Sequence, residues 1–365
     1  MKGPLVLMTT GLARGGAEAQ VVLLAVAMRQ RGWRVHVVSM LEPRVFGREL
    51  AEAGVAVHSL GMEAGRLAGL ARLAVILRRV RPMVLHCHLF HANVLGRLAR
   101  LVFPVPVVLS TLHSMAESGR ESADVRWRDR AYRWTDGLAR WTVAVCAAVG
   151  ERHVAAGAVS LRRLRVVPNG VDTRAYCPDE AARARLRREL GVGGEFVWLA
   201  AGRLMWKKDY PTMLRAAARV PGCVLWIAGA GPQEAELRAM AGDLGVDARW
   251  LGERADLPAL MNAADGLVLS SVVEGLPMVL LEAAACGLPA VSTRAGGASE
   301  IVVEGETGFL VECGDEAALA AAMSRLSGLP AAAREEMGRA ARARAVGCFD
   351  VAAVVSQWEQ LYEER

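Results

Sequence analysis

Along the first 150 or so residues, short runs of consecutive apolar side chains alternate with longer stretches whose apolar positions recur every three or four residues. The runs Leu5–Thr9, Arg34–Met40, Val55–Leu60, Met83–His88, Val105–Ser110 and Thr142–Cys146 do not alternate apolar with polar, so they predict strands covered on both faces. Between them, Ala17–Gln30 and Leu67–Arg79 predict helices. This is the βαβ pattern of a parallel sheet with helices on either side. After a turn-rich linker, Pro168-Asn-Gly-Val-Asp-Thr173, the pattern restarts with strands expected at Phe196–Ala201, Val224–Ala228, Ala248–Leu251, Gly266–Leu269, Ala290–Ser292 and Gly308–Val311. Ala331–Ala345 predicts an Ala/Arg/Glu-rich helix. Phe349–Glu364 carries Val351, Val354, Val355, Trp358 and Leu361 as a helical stripe that must dock against another surface. The fold class is therefore α/β, two Rossmann-like domains in tandem.

A chain of 365 residues is long enough for two domains with proper cores. Its apolar runs are too short or too interrupted to span a membrane, which takes about 18 residues, and the first residues read as a strand entering a glycine loop rather than a signal peptide. The expected location is the cytoplasm, with the inner face of the membrane as an option. Seven scattered cysteines without a Cys-x-x-Cys suit reduced thiols.

Charge adds an asymmetry. Residues 1–175 carry 25 Lys and Arg against 12 Asp and Glu, whereas the remainder carries 19 against 26. The front half is where an anionic partner would be met, whether a membrane, a lipid-linked pyrophosphate or a nucleic acid. Only three residues are lysine: Lys2, Lys207 and Lys208.

The candidate chemistry sits at strand-to-helix junctions, where ligands of doubly wound sheets bind, and two such domains facing one another make a cleft. Glu274-Gly-Leu-Pro-Met-Val-Leu-Leu-Glu282 places two carboxylates around a helix start. Pro277 suits the first helical position and Gly287 the residue past the end, so Glu282 leans toward the mouth that Glu274 borders, beside unpaired N–H donors. The loop Gly202-Arg203-Leu-Met-Trp-Lys207-Lys208 sets two cations over a strand end, as a diphosphate needs where no metal neutralises it. No Asp-x-Asp occurs in the chain, so the carboxylate pair usual for a metal-bridged nucleotide sugar is missing, and neither metal nor cofactor is expected. Gly11-Leu-Ala-Arg-Gly15-Gly16-Ala-Glu18 is a glycine loop that fits a ligand-binding turn or a plain tight turn equally well.

Together the Glu274…Glu282 motif, the Gly202-Arg203-Leu…Lys208 loop, Gly15-Gly16-Ala-Glu18 and Pro168-Asn169-Gly170-Val171-Asp172 resemble family 4 of the retaining glycosyltransferases. Ala228-Gly-Ala-Gly-Pro232, Gly252-Glu-Arg254 and Gly296-Gly297-Ala-Ser-Glu300 match as well. The resemblance implies a GT-B fold, with parallel sheets facing a central cleft. Residues 1–170 would form an acceptor-binding domain, 171–347 a nucleotide-sugar donor domain, and 348–365 a helix packing back towards the first. It further implies retaining, metal-independent transfer in which Arg203 and Lys208 grip the diphosphate and Glu282 accepts from the ribose. Glu274 and the backbone of Gly275, Leu276, Pro277 and Met278 would hold the donor sugar, and Arg254 would lie near the base. His113 would face the transferred sugar, and Gly15 and Gly16 would approach the phosphate or acceptor. The chain departs from the family at Cys146-Ala147-Ala148, where Ser-Glu is frequent.

The reading is a glycosyltransferase moving a hexosyl or N-acetylhexosaminyl group from a UDP- or GDP-linked donor to a glycan, lipid-linked by preference, in cell-surface polysaccharide or glycolipid synthesis. The alternatives are a GT-B epimerase or hydrolase, or a non-catalytic nucleotide-sugar binder. No nucleic-acid reader module is recognisable. Two features remain. His86-Cys87-His88 with His91 looks like a metal cluster but lacks a second ligand pair at a zinc-like spacing, which favours strand-end histidines near an acceptor hydroxyl. Trp127, Trp134 and Trp141 recur every seven residues among arginines in Glu121–Trp141. A core-facing stripe is the favoured reading and an interfacial helix on anionic lipid the alternative.

Overall fold

The structure is a computed structural model that describes residues 2–13, 15–115 and 122–364, with 122, 123 and 223 described by backbone alone. Arg14 of the glycine loop and Glu121 of the tryptophan segment lie outside the described residues. Two compact units result, Met1–Gly170 with Val351–Arg365 and Val171–Asp350.

In the first unit the apolar runs form a seven-stranded sheet of β1 (Pro4–Thr9), β2 (Arg34–Ser39), β3 (Ala56–Ser59), β4 (Val84–His88), β5 (Val107–Leu112), β6 (Trp141–Ala144) and β7 (Leu164–Val166). The order is β3-β2-β1-β4-β5-β6-β7, with every pairing parallel. The sequence pattern misses β7, whose three residues at the sheet edge include Arg165 and make no apolar run.

The second unit repeats the plan with β8 (Phe196–Ala201), β9 (Cys223–Ala228), β10 (Ala248–Gly252), β11 (Gly266–Leu269), β12 (Ala290–Thr293) and β13 (Gly308–Val311) in the order β10-β9-β8-β11-β12-β13. Its core gathers Trp198, Ile227, Val268 and Val291 from the strands with Leu214, Leu237 and Met323 from the covering helices. Residues 348–350, which the sequence places with the last helix, belong here instead, since the helix Ala331–Phe349 runs through 348.

The order reverses once in each sheet, between β1 and β4 and between β8 and β11. At that point successive connections leave in opposite directions and open a crevice at the carboxyl ends of the two central strands. Thr9 lies beside His88 across the first crevice.

The apolar stripe of the final helix, Val351–Glu363, finds its surface in the first unit. Val354, Val355, Trp358, Leu361 and Tyr362 are buried with Leu24, Met28 and Trp33. Each such side chain contributes about 1.5–3 kcal/mol before the entropy of ordering the helix is subtracted. Glu359 orients it. Burial by itself would raise this carboxyl, but Lys2 Nζ at 2.5 Å, Arg31 Nη1 at 2.7 Å and Trp33 Nε1 at 2.9 Å donate to it and bring its pKa down to about 2.

The tryptophan repeat does not form a core-facing stripe. The helix Ser122–Thr135 leaves Trp127 57% and Trp134 82% exposed, while Trp141 falls on β6. Arg126, Arg130 and Arg133 are exposed on the same helix. The core side is instead supplied by Tyr132, buried against Phe90 and Arg97.

Candidate functional site

In the second unit the loops after β8 and β11 are knitted together across the crevice. Val272 N donates to Lys207 O (2.9 Å), and Ser270 Oγ donates to the carbonyls of Lys208 (2.8 Å) and Asp209 (2.9 Å). Asp209 takes a left-handed conformation, φ 46°, and ends the short turn Trp206–Lys208. These bonds aim Lys208 Nζ at Glu274 Oε1, 2.6 Å away, with both side chains largely buried. Arg203 on the same loop is exposed and has no hydrogen-bond or ion-pair partner among the described residues. Lys207 turns aside to the Trp206 ring, 5.7 Å from its centroid.

Two close backbone approaches hold this crest. A Cβ on Gly229 would lie 2.0 Å from Gly202 O, and one on Gly296, at φ 55°, would meet the carbonyls of Gly275 at 2.5 Å and Glu274 at 2.6 Å. Gly297 N also donates to Gly275 O at 2.7 Å. The segment that carries Glu274 is thus clamped from the far side by Gly296-Gly297. The helix that follows is Met278–Ala285, shorter than the sequence suggested. Pro277 caps it at φ −69°, ψ 113° instead of opening its first turn, while Gly287 follows its end at φ 74°. Gly275, Leu276 and Met278 interact within the chain, so the expectation of unpaired donors there does not hold for them.

Glu282 is half-buried on that helix. Burial pushes its pKa up to about 7, against the hydroxyl of Tyr176 and the Lys208 ammonium, which favour the carboxylate. Tyr176 rises in turn from burial and from the Glu282 charge. One lysine therefore bears on both glutamates. Arg254, after β10, is held by Asp256 in a two-point pair at 2.8 and 2.6 Å.

In the first unit the crevice carries histidines. His88 Nδ1 lies 3.0 Å from His113 Nε2, and His86 is fixed between Tyr362 Oη (2.7 Å) and Thr111 Oγ1 (2.6 Å). The His86 and His88 rings are 4.1 Å apart, sharing a face as alternate strand positions must. His91 is exposed, on a helix with no ring contact to the other two. Among the described residues no three His, Cys, Asp or Glu side chains gather as a metal site. His88 and His113 line a pocket with Gln20, Thr111, Asn169 and Trp358.

Sequence comparison agrees with this architecture. Glycosyl transferases group 1 matches residues 182–344, and Glycosyltransferase Family 4 matches residues 14–175. The D-inositol 3-phosphate glycosyltransferase of Pseudarthrobacter chlorophenolicus is 32% identical over 91% of this chain and 86% of its own length. The chain belongs to the group 1 glycosyltransferases, of family 4 type and GT-B fold. A GDP-mannose-dependent alpha-(1-6)-phosphatidylinositol monomannoside mannosyltransferase of Mycolicibacterium smegmatis is 39% identical over 48% of this chain and 50% of that protein. Among solved structures, Anabaena HepE in complex with UDP superposes with a TM-score of 0.87 at 25% identity, covering 98% of this chain and 99% of that one.

Within this glycosyltransferase the structure brings Lys208, Glu274 and Glu282 together, with Arg203 on the same loop. Gly15 and Gly16 stand at the start of the helix Gly16–Gln30. A Cβ on Gly15 would lie 2.3 Å from Glu18 Oε2, so the missing side chain makes room for this carboxylate. Tyr176 and the His88–His113 pairing escaped the sequence reading. Tyr176 lies just past the Pro168–Thr173 linker and belongs to none of the quoted motifs, and the sequence marks His88 as one of several strand-end histidines near an acceptor hydroxyl without pairing it to His113.

A carboxyl whose pKa rises from 4.5 to about 7 on folding stabilises the fold fully below 4.5 and loses that contribution as pH rises through 7. Glu282→Gln should therefore match the parent near about pH 4 and exceed it by about 3 kcal/mol near about pH 8. Thermal melts of the two apo proteins across that range check the sign. A variant less stable than the parent at the higher pH contradicts the raised carboxyl.

Proposed function

We propose that this glycosyltransferase is retaining and metal-independent, and that it moves a hexosyl or N-acetylhexosaminyl group from a UDP- or GDP-linked donor to a glycan carried on a lipid. The observation that carries the reading is the Lys208–Glu274 pair at 2.6 Å over the β8/β11 crevice, with Arg203 exposed beside it. A diphosphate entering there meets two cations, which supply the charge stabilisation that a divalent ion otherwise gives. Glu274 takes sugar hydroxyls, with the Gly275–Met278 segment lying alongside the donor sugar. Glu282 accepts from the ribose, where hydroxyl donors favour its charged form, and Arg254, steadied by Asp256, lies on the base side. The UDP of HepE and the GDP-mannose dependence of the mycobacterial relative support the two choices of base.

In the proposed transfer the bond from the anomeric carbon to phosphate breaks while the acceptor oxygen bonds that carbon on the same face. The acceptor proton passes to a leaving phosphate oxygen. Arg203 and Lys208 stabilise the charge that grows on the diphosphate, and His113 supplies a hydrogen-bonding group to the transfer step. The protein's contribution is alignment and charge stabilisation. Gly15 and Gly16, at the start of the helix Gly16–Gln30, approach the donor phosphate or the acceptor.

Nucleotide release from UDP- and GDP-sugars, with and without candidate lipid-linked glycans, tests this reading. Release should require both a donor and an acceptor and persist in excess chelator. Activity that a chelator abolishes, or release without any acceptor, contradicts it.

The same proposal puts the first unit on an anionic membrane surface. Trp127 and Trp134 are exposed beside Arg126 and Arg130, an arrangement that places rings at the headgroup level and guanidinium groups on phosphates, while Arg133 donates to the carbonyls of Gly157 and Ala156. No helix among the described residues is long and apolar enough to cross a membrane. Pelleting with anionic vesicles should fall by about tenfold in the Trp127→Ser/Trp134→Ser double variant and be weakened by salt. Equal pelleting of parent and variant contradicts this contact.

A further inference from the structure

The His88–His113 contact fixes more than a distance. His88 is 2% exposed at the end of β4, and its Nδ1 is engaged with His113 Nε2 at 3.0 Å. Its other nitrogen, Nε2, is buried and has no hydrogen-bond partner. The His86 ring, 4.1 Å away and tied to Thr111 and Tyr362, keeps the His88 ring from turning to find one.

One proton is shared by that contact, and there are two ways to place it. If His113 Nε2–H donates to His88 Nδ1, a neutral His88 must carry its own proton on Nε2, leaving a buried N–H donor unsatisfied. If His88 Nδ1–H donates to His113 Nε2, the orphan is only a lone pair. Buried unpaired donors are rarer and costlier than under-used acceptors, so the second arrangement wins. Burial lowers the pKa of both rings, that of His113 to about 4, so both are neutral near pH 7 and the choice between tautomers is real.

We infer that His88 is a positioning residue that holds His113 in its Nδ1–H tautomer, so that His113 presents an N–H donor, and not a lone pair, to an oxygen of the substrate. This deepens the proposed transfer and rests on that reading for the step His113 serves, but the tautomer itself does not depend on it. A donor suits a sugar oxygen or a partial negative charge developing on oxygen; a lone pair would not.

Long-range 15N–1H correlation spectra of the full chain with labelled histidine, assigned by loss of signals in His113→Gln, report the tautomer directly. The expected result near neutral pH is a protonated Nδ1 and an unprotonated Nε2 on His113. A protonated Nε2 overturns the inference with no variant needed. His88→Asn, whose amide can donate from about the place of Nδ1, should preserve the Nδ1–H form, whereas His88→Leu should release His113 toward the Nε2–H form. An unchanged tautomer in His88→Leu overturns the role of His88. In turnover, His88→Leu should lower kcat on the order of tenfold with donor KM changed less than about twofold, and His88→Asn should restore most of it. A larger change in KM than in kcat overturns the positioning role. If no transfer is found for the parent, the transferase reading falls while the spectra still decide the tautomer.

Discussion

Every functional feature of this chain depends on one topological constraint, the single reversal of strand order in each parallel sheet. Right-handed crossovers carry successive strands in one direction and cover one face of the sheet, so the other face can be covered only if the chain starts again on the opposite side of its first strand. The two connections that part at that point cannot fill the space above it. In the first unit that space lies over β1 and β4 and is lined by histidines. In the second it lies over β8 and β11 and is lined by Lys208, Glu274 and the exposed Arg203. Some of the orphaned buried polar atoms gather there too: Thr10 Oγ1 and His88 Nε2 in one unit, Ser271 Oγ in the other.

The second crest is held through its main-chain carbonyls and close glycine contacts, the first by contacts between side chains. Carbonyls of Lys207, Lys208 and Asp209 receive hydrogen bonds from the β11 loop, and Gly296-Gly297 clamps Glu274 from behind, so the lysine is presented by parts that cannot shift independently. In the first unit the geometry passes from the final helix through Tyr362 to His86, then by ring contact to His88, then to His113. The final helix thereby bears on the histidines twice, through Tyr362 on His86 and through Trp358, which lines the same pocket as His88 and His113. Glu359, pinned by Lys2, Arg31 and Trp33, is the anchor of that path.

Much of this was legible in the sequence because a doubly covered strand must be an apolar run, and such runs stand out. β1, β8 and β11 were placed within a residue of their observed limits for that reason. β7 was not, since a three-residue edge strand has one side on solvent and no need of apolar residues. The Lys208–Glu274–Glu282 cluster could be anticipated because its members sit in motifs with turn residues around them. Tyr176 and the His88–His113 pair could not, as their meaning comes from contacts across 106 and 25 positions that no local pattern records. The tryptophan repeat misled because its period is helical while its last member is on a strand, and the two that remain face outward.

The central claim is that the β8/β11 crest grips a diphosphate through Lys208. Calorimetric titration of the full chain with UDP against uridine, and with GDP against guanosine, in the presence of a chelator, tests it most directly. For the preferred base the diphosphate should tighten binding by about tenfold or more in the parent, and Lys208→Ala should erase most of that gain while leaving nucleoside affinity unchanged. A diphosphate advantage of the same size in parent and variant would contradict the account.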